Sequence, residues 1–474
     1  MATSQLPTAN GKLSFLEKIG YGAGDTASNI FYQAFNIVLF YYYTDVWGIS
    51  PGIVGTLFLV ARFWDAINDP VMGILADRTQ TRWGRYRPYL LWLAIPFGVI
   101  GFLTFASPGL EGGMKIFYAA STYTVLGMIY TAINVPYSAL MGVMTPETEE
   151  RTILASYRFV GAFSAALIIG ATVRPLASAL GGGDEIVGYR LTFAILGALS
   201  SILFLFTFLT TRERLAPEKK EADTSIRSDL KILIRNKPWV VMAAAGILTL
   251  SNVAVRAAVT FHYFKYYVGD TGEKFFLWMD LTSFFLSTGS LVFIVGIFFT
   301  NTLRKRFGKR NALIGLTFLN AVATIAFFWV PPDDIALMVV VNLIGVLFAG
   351  PTPALVWAMY TDVADYGELK FGRRTTGLVF SAAIFAQKMG LMVGGTLSGW
   401  ILGWVGFEAN ADQSDAAMLG IRVMFCFIPG AFAIANGLVL LLYPITEDEV
   451  LEMEEELARR REAREASVAG DVPS

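Results

Sequence analysis

Runs of about twenty apolar residues, the length needed to cross a bilayer as a helix, alternate with short polar breaks along nearly the whole chain. Twelve such runs are read, at 18–43, 51–76, 88–107, 114–144, 152–180, 187–211, 239–268, 275–303, 311–331, 335–364, 375–405 and 419–444. The longest interior break, 212–237, is polar and lies at the midpoint; it reads as a linker with a surface helix. The residues after 445 begin as a charged helix and end in a small, polar segment. The pattern predicts an all-α membrane protein of twelve transmembrane helices in two pseudo-symmetric six-helix bundles. The boundaries expected are an N-terminal bundle at 1–211, a central loop at 212–238, a C-terminal bundle at 239–445 and a tail at 446–474.

The halves echo one another. Arg82-Trp83-Gly84-Arg85 follows the second run, and Arg306-Phe307-Gly308-Lys309 follows the eighth. The stretch Pro136 to Thr145, an acidic loop and Arg151-Thr152 is matched six runs later by Pro353 to Thr361, an acidic loop and Arg374-Thr375. Two such repeats around a central cavity are the organisation expected of a secondary transporter.

Composition narrows the class. Of 474 residues, 55% are hydrophobic and 16% charged, where a soluble domain carries about a quarter charged. A soluble domain with an anchor is therefore excluded. The net charge of −1 gives no basic footprint for nucleic acid. The single histidine, His262, and single cysteine, Cys426, leave no zinc cluster, no Ser-His-Asp triad and no internal disulfide, so an enzyme is not expected. No resident cofactor is implied, and the first run lacks a cleavage site and is expected to remain. Basic residues collect in alternate breaks. Arg78, Arg82, Arg85 and Arg87 lie in the second, and Arg212, Arg214, Lys219, Lys220, Arg227, Lys231, Arg235 and Lys237 in the central loop. Arg304, Lys305, Arg306, Lys309 and Arg310 lie in the eighth break, and Lys370, Arg373 and Arg374 in the tenth. By the positive-inside rule both termini are cytoplasmic, in a cell inner membrane.

The second run carries the densest charge. Arg62, Asp65, Asn68 and Asp69 lie in an otherwise apolar helix, and 62, 65 and 69 share one face. Ionised groups inside a membrane helix face a bundle interior or a wet cavity. The cluster reads either as a neutralised structural group or as an ion site. Arg256, well inside the seventh run, carries the same implication. The tyrosines Tyr41–Tyr43 read as an interfacial belt, and His262 as hydrogen-bonded near the membrane surface.

The loop GILADRTQTRWGRYRP resembles the signature that follows the second helix in the major facilitator superfamily. More narrowly, ARFWDAINDP, with Gly73, Asp77 and GRYRPYLLW behind it, is similar to the glycoside–pentoside–hexuronide:cation symporter family, which includes melibiose permease. The resemblance runs from Gly20 to about Tyr443 and takes in YYYTD at 41–45, NVPYSAL at 134–140, YTDVADYGE at 360–368 and AQKMG at 386–390. It implies the major facilitator fold and cation-coupled uptake of a sugar or glycoside by alternating access.

The resemblance assigns the coupling-cation site to Asp65 and Asp69, with Thr131 and Asn134 from the fourth helix. Two carboxylates a turn apart suit a hard cation, and two carboxylates in low dielectric also hold a proton. Melibiose permease has an aspartate where Asn134 stands, so the coupling ion is left as H+ or Na+. For the sugar, the resemblance gives Asn29, Asn134, Arg158 and Lys388. Asp25 is added because it lies one turn before Asn29, and Trp357 as a stacking ring. A tryptophan of the family's fourth helix is replaced by Ser138. Arg158, Arg256 and Lys388, with two family aspartates neutralised, favour an acidic glycoside such as a hexuronide through charge-assisted bonds. If Arg256 and Lys388 instead pair with Asp25 or Asp280, the site suits a neutral pentoside or hexoside. Asp77, Arg78 and Arg85 are expected as cytoplasmic gate residues. The other readings are a lysolipid carrier and, more remotely, a sugar sensor that does not transport. The partners expected are a small sugar and the bilayer, with the chain a monomer.

Overall fold

The computed structural model describes residues 12–145, 147–215, 232–372 and 376–470. The side chain of Asp77 lies outside the described residues, as do Lys219, Lys220, Arg227, Lys231, Arg373, Arg374 and Thr375 and the Thr152 side chain. The described chain is nearly all helix, in twelve long segments and a tail helix. They are α1 Phe15–Ile37, α2 Pro51–Arg78, α3 Arg87–Thr104, α4 Gly112–Met144, α5 Thr148–Gly181 and α6 Glu185–Thr210. The second set is α7 Lys237–His262, α8 Leu281–Phe298, α9 Thr300–Ala326, α10 Ile335–Phe371, α11 Thr376–Trp404 and α12 Asp415–Leu441, then α13 Glu447–Gly470. Ten of these are long and apolar enough to cross a membrane by composition alone. The first two fall short because α1 and α2 carry the polar residues noted above.

Local chemistry fixes the helix ends. Ser14 and Glu17 close a capping box on α1. Asp184 accepts from the Val187 N–H at 3.1 Å to start α6, and Asp334 accepts from the Leu337 N–H at 2.9 Å to start α10. Pro51 and Pro88 occupy first-turn positions, where the missing N–H has no helical partner to lose. Beyond Ile37, α1 continues through Leu39–Tyr41 into a π-helical turn, Tyr42–Val46; α7 ends in a similar turn, Tyr263–Val268.

Two compact units result. The first comprises Met1–Lys220, Ala257–Ser290 and Gly395–Ile421; the second comprises Glu221–Arg256, Leu291–Gly394 and Arg422–Ser474. In the first unit, helix contacts are tied by hydroxyls reaching backbone carbonyls, which satisfies polar groups that water does not reach. Ser200 donates to Ala27 O and Thr207 to Gly20 O, both at 2.8 Å. The Tyr21 and Tyr137 hydroxyls each donate to the other's carbonyl, with the rings stacked 4.7 Å apart. In the second unit, the Tyr360 hydroxyl reaches Met242 O at 3.1 Å, and Asn236 reaches Val363 O at 3.1 Å.

The sequence echo has a structural form. Gly84 takes a left-handed φ of 109°, and the N–H groups of Arg85, Tyr86 and Arg87 donate to the Glu213 carboxylate at 2.7–2.9 Å. Gly308 takes φ 75°, and the Lys309 N–H donates to Glu447 at 3.1 Å. In each loop a guanidinium lies over the next aromatic ring, Arg82 on Trp83 at 4.3 Å and Arg306 on Phe307 at 5.4 Å. A glycine is required at both turns because a side chain at positive φ is strained. At Gly84 a Cβ would also stand 2.5 Å from the Glu213 carboxylate.

The tyrosine run differs from expectation. Tyr41, Tyr42 and Tyr43 are fully buried rather than set in an interfacial belt. The turn that prolongs α1 carries them into the first unit, where Tyr42 donates to Phe105 O at 2.6 Å. A ring whose hydroxyl finds an interior acceptor has no need of the interface.

Candidate functional site

The α2 cluster assembles within the first unit. Asp65 is buried, and its Oδ2 lies 3.7 Å from Arg62 Nη1, one turn earlier on the same helix. Asp69, half-buried a turn further on, accepts a hydrogen bond from the Thr131 hydroxyl of α4 at 2.9 Å. Between them the buried Asn68 Nδ2 has no hydrogen-bond partner. On α4, Gly127 makes room for Asp65: a Cβ there would stand 2.8 Å from Asp65 Oδ1. The cluster thus offers two carboxylates, a hydroxyl and an amide inside an apolar wall. Among the described residues no group of three or more His, Cys, Asp or Glu is placed to hold a metal ion.

Next to this cluster, α1, α4 and α5 bring together the expected sugar residues of the first half. Arg158 donates through Nε and Nη2 to Asp25 Oδ1, at 3.3 and 3.2 Å, and its guanidinium lies 5.1 Å from the Tyr137 ring centre. The stacked tyrosines therefore floor an ion pair of a half-buried arginine and a buried aspartate. Asn29 and Asn134 each spend an amide N–H on the carbonyl one turn back, Asp25 O at 2.9 Å and Tyr130 O at 3.0 Å. Their amide oxygens remain to accept from a ligand.

The second unit holds the other expected residues. Arg256 donates to Thr324 Oγ1 at 3.4 Å and Asn342 Oδ1 at 3.2 Å, and lies between the rings of Phe327 and Phe425. Lys388 is half-buried on α11. Trp357 of α10 stacks on Phe380, with ring centres 5.7 Å apart and planes 6° from parallel. It also lines a cavity of about 320 Å³ between the helices of this unit. The two acids considered as partners for Arg256 and Lys388 are engaged elsewhere: Asp25 with Arg158, and Asp280 beside Arg174. Of the expected gate residues, Arg78 is exposed at the end of α2, and Arg85 is fixed through its backbone N–H by Glu213.

A model of the family described as MFS/sugar transport protein matches residues 20–447. The chain belongs to that family. Within it, the chain is 36% identical to the inner membrane symporter YicJ of Escherichia coli (strain K12), over 94% of this chain and 95% of that one. It is 34% identical to the isoprimeverose transporter of Lactiplantibacillus pentosus, over 91% and 89%. Among solved structures, the nucleoside transporter NupG superposes with a TM-score of 0.65 at 13% identity, covering 90% of this chain and all of that one. Membership places the protein among the glycoside–pentoside–hexuronide:cation symporters, with the twelve-helix major facilitator fold in a membrane.

Two polar clusters contain residues that the sequence named without their partners, His262 in one and Asp280 in the other. His262, fully buried, sits with Nε2 2.9 Å from Asp45 Oδ2 and 3.0 Å from Thr44 Oγ1. Lys265 approaches Asp45 at 3.3 Å, Tyr266 donates to it, and Asn410 links Asp45 O, Lys265 and the Tyr266 hydroxyl. The second cluster centres on Arg174, whose Nη1 lies 2.5 Å from Asp270 Oδ2 and 3.0 Å from Asp280 Oδ2. The first cluster joins the turn after α1 to the end of α7 and the α11–α12 loop, and the second joins α5 to the α7–α8 loop and the start of α8, all within one unit. The signal was present: Asp45 ends the YYYTD motif, and His262 is the chain's one histidine.

Burial pushes the Asp270 carboxyl upward, but Arg174, the Thr282 hydroxyl and the Gly272 and Thr282 N–H groups outweigh it and hold it below the ordinary range. For Asp280 burial wins and the carboxyl is raised. Its Oδ2 is close to Arg174 yet takes no hydrogen bond, so the ion is less well compensated.

Proposed function

We propose that this protein is a cation-coupled glycoside symporter that works by alternating access, with Asp65 and Asp69 carrying the coupling ion, H+ or Na+. The observation that carries the proposal is the Thr131–Asp69 hydrogen bond. It ties the α2 carboxylates to the stretch of α4 that presents Asn134 one turn later. A cation that settles on the carboxylates then orders the residue that meets the sugar, and by linkage the sugar favours the cation equally. Arg62 supplies the internal charge that keeps Asp65 balanced when no ion is bound. Asp25, Asn29, Asn134 and Arg158 form the first-half sugar surface; Arg256, Lys388 and Trp357 are the second-half candidates. Because Asp25 already balances Arg158, a substrate carboxylate meets less positive charge there than a count of arginines suggests. Both termini face the cytoplasm across the inner membrane, with Asp77, Arg78 and Arg85 gating that side and the protein acting as a monomer.

The test is sugar-driven ion movement in proteoliposomes, with pH and sodium readouts, for the wild type and Asp65→Asn. Glycoside uptake that alkalinises the external buffer, and loses that coupling in Asp65→Asn, is the result expected for a proton. Sodium movement identifies the other ion at the same site. If no glycoside moves either ion, symport fails.

A further inference from the structure

The cavity in the second unit has a chemistry of its own. Its lining comes from one face each of several helices. Leu313, Thr317 and Asn320 of α9 recur at helical spacing, as do Ala433, Asn436 and Leu440 of α12. Thr249 and Asn252 of α7, Thr352 of α10 and Gln387 of α11 complete a polar set of seven hydroxyl and amide side chains, and Trp357 adds a ring. Among the described residues that line it, none is ionisable. At about 320 Å³ the cavity lies at the lower end of the ~300–1,000 Å³ typical of small-molecule sites.

One lining group points to a ligand. Asn436 is 6% exposed, and its Nδ2 donates to Thr249 Oγ1 at 2.9 Å, but its buried Oδ1 has no hydrogen-bond partner. Turning the amide over merely exchanges which of its two polar atoms is left over. A buried amide atom without a partner is unfavourable by about 1–3 kcal/mol, so such a group is retained where something else completes it. The surrounding amides and hydroxyls offer both donors and acceptors, while no charge is present to attract or repel an ion. That is the pattern which recognises several hydroxyl groups on a neutral ring, with an indole nearby for the ring's apolar face.

We propose that this cavity is a binding site for an uncharged sugar ring, and that Asn436 and Thr249 are its hydrogen-bonding anchor. The assignment rests on the glycoside symport proposed above and names the substrate class: glycosides with a neutral pyranose ring, in preference to uronides. A carboxylate entering this cavity loses water and finds no cation among its lining residues, which is strongly unfavourable.

Calorimetric titration of the full-length protein in detergent, paired with uptake in proteoliposomes, tests it. The probes are α- and β-p-nitrophenyl glucoside, xyloside and glucuronide; glucoside and glucuronide differ only at C6, in a hydroxymethyl group against a carboxylate. The expected result is binding and uptake of a neutral member, with a Kd raised at least about tenfold in Asn436→Leu, one hydrogen bond to a neutral group being worth about 1 kcal/mol and the newly unpaired ligand hydroxyl adding to that. Thr249→Val, nearly unchanged in shape, is expected to shift Kd in the same direction and guards against a folding defect in Asn436→Leu. Unchanged affinity for a neutral glycoside in both variants, with uptake intact, means that the cavity holds water only and overturns the site while symport stands. Binding of the glucuronide alone overturns the neutral-ring assignment. If the wild type neither binds nor moves any probe, this inference falls together with the symport proposal.

Discussion

The α2 cluster of the first unit and the cavity of the second are both polar pockets in apolar helix bundles, yet they are built from opposite materials. Around α2 the polar groups include ionisable side chains, and they are held in pairs: Arg62 with Asp65, Thr131 with Asp69, and Arg158 with Asp25 close by. In the second unit the pocket is lined by amides and hydroxyls, and none of its described lining residues is ionisable. The difference is one of what each can exchange. A paired carboxylate can trade its partner for a proton or a metal cation, because each of these binds the same carboxylate oxygens. An amide can trade only one neutral hydrogen bond for another. The charged pocket suits an ion, and the uncharged one suits a polyol.

The largest effect expected from this contrast is at Asp69. Asp69→Asn keeps the size of the side chain and removes the charge, leaving Thr131 without a carboxylate to donate to. A hydrogen bond to a charged group contributes about 1.5–3 kcal/mol, and the site also loses the charge that holds the cation, so coupled uptake should fall by on the order of 100-fold or more. Glycoside binding to the second-unit cavity, measured by calorimetry, should persist. Loss of both together would mean that the two regions act as one site and would break the comparison.

Next in size is the pair that borders both roles. Arg158→Gln alone strands the buried Asp25 charge, a loss of roughly 3–5 kcal/mol, and Asp25→Asn alone strands the half-buried Arg158 at a smaller loss. The double variant strands none and should recover much of the thermal stability in detergent. If the double variant is as unstable as the singles added together, the two groups do not depend on one another and the balancing role given to Asp25 is wrong. Recovery of stability without recovery of uptake would assign the pair to the sugar rather than to the scaffold.

How far these regions could be read from sequence follows from the range of their interactions. Ten of the twelve helices were legible from their own apolar length, α1 and α2 were legible despite the polar residues they carry, and the α2 charge cluster was legible because its residues lie within two turns. The loop echo was equally local: Gly84 and Gly308 were visible as partners, though Glu213 and Glu447 were not, since each comes from more than a hundred residues away. The same distance hid the second-unit cavity. Asn252, Asn320 and Asn436 lie far apart in three apolar runs, and only packing brings them around one cavity. Tyr41–Tyr43 were misplaced for a related reason: aromatic residues at a helix end look interfacial until the acceptors that bury them, such as Phe105 O, are known.

A smaller change sharpens the ion side alone. Thr131→Val preserves shape and deletes the hydrogen bond to Asp69. A hydrogen bond to a charged group contributes about 1.5–3 kcal/mol, so apparent cation affinity should weaken about ten- to 100-fold. Maximal uptake at saturating cation should stay near that of the wild type. Sodium- or pH-titrated uptake separates the two quantities. A variant that lowers the maximal rate and leaves the cation dependence untouched would place Thr131 in packing rather than in the ion site.

The smallest effect lies at the Arg174 cluster, where one arginine serves two acids of unequal support. Asp270 has a depressed pKa, so it stabilises the fold above the ordinary carboxylate value of about 3.9, and that contribution is lost as pH falls through its lower folded value. Asp280 has a raised pKa, so its ionised form opposes folding at neutral pH, and the opposition is relieved as pH falls through the raised value. Asp270→Asn should therefore lower the melting temperature at pH 7, by the equivalent of about 1–3 kcal/mol for a lost charge-assisted bond. Asp280→Asn should leave it nearly unchanged or raise it slightly. On mild acidification the wild type should gain a little stability relative to Asp280→Asn, because only the wild type has that charge to shed. Equal losses in the two variants at pH 7 would show that Arg174 needs both ions, and that the missing hydrogen bond to Asp280 has no energetic consequence.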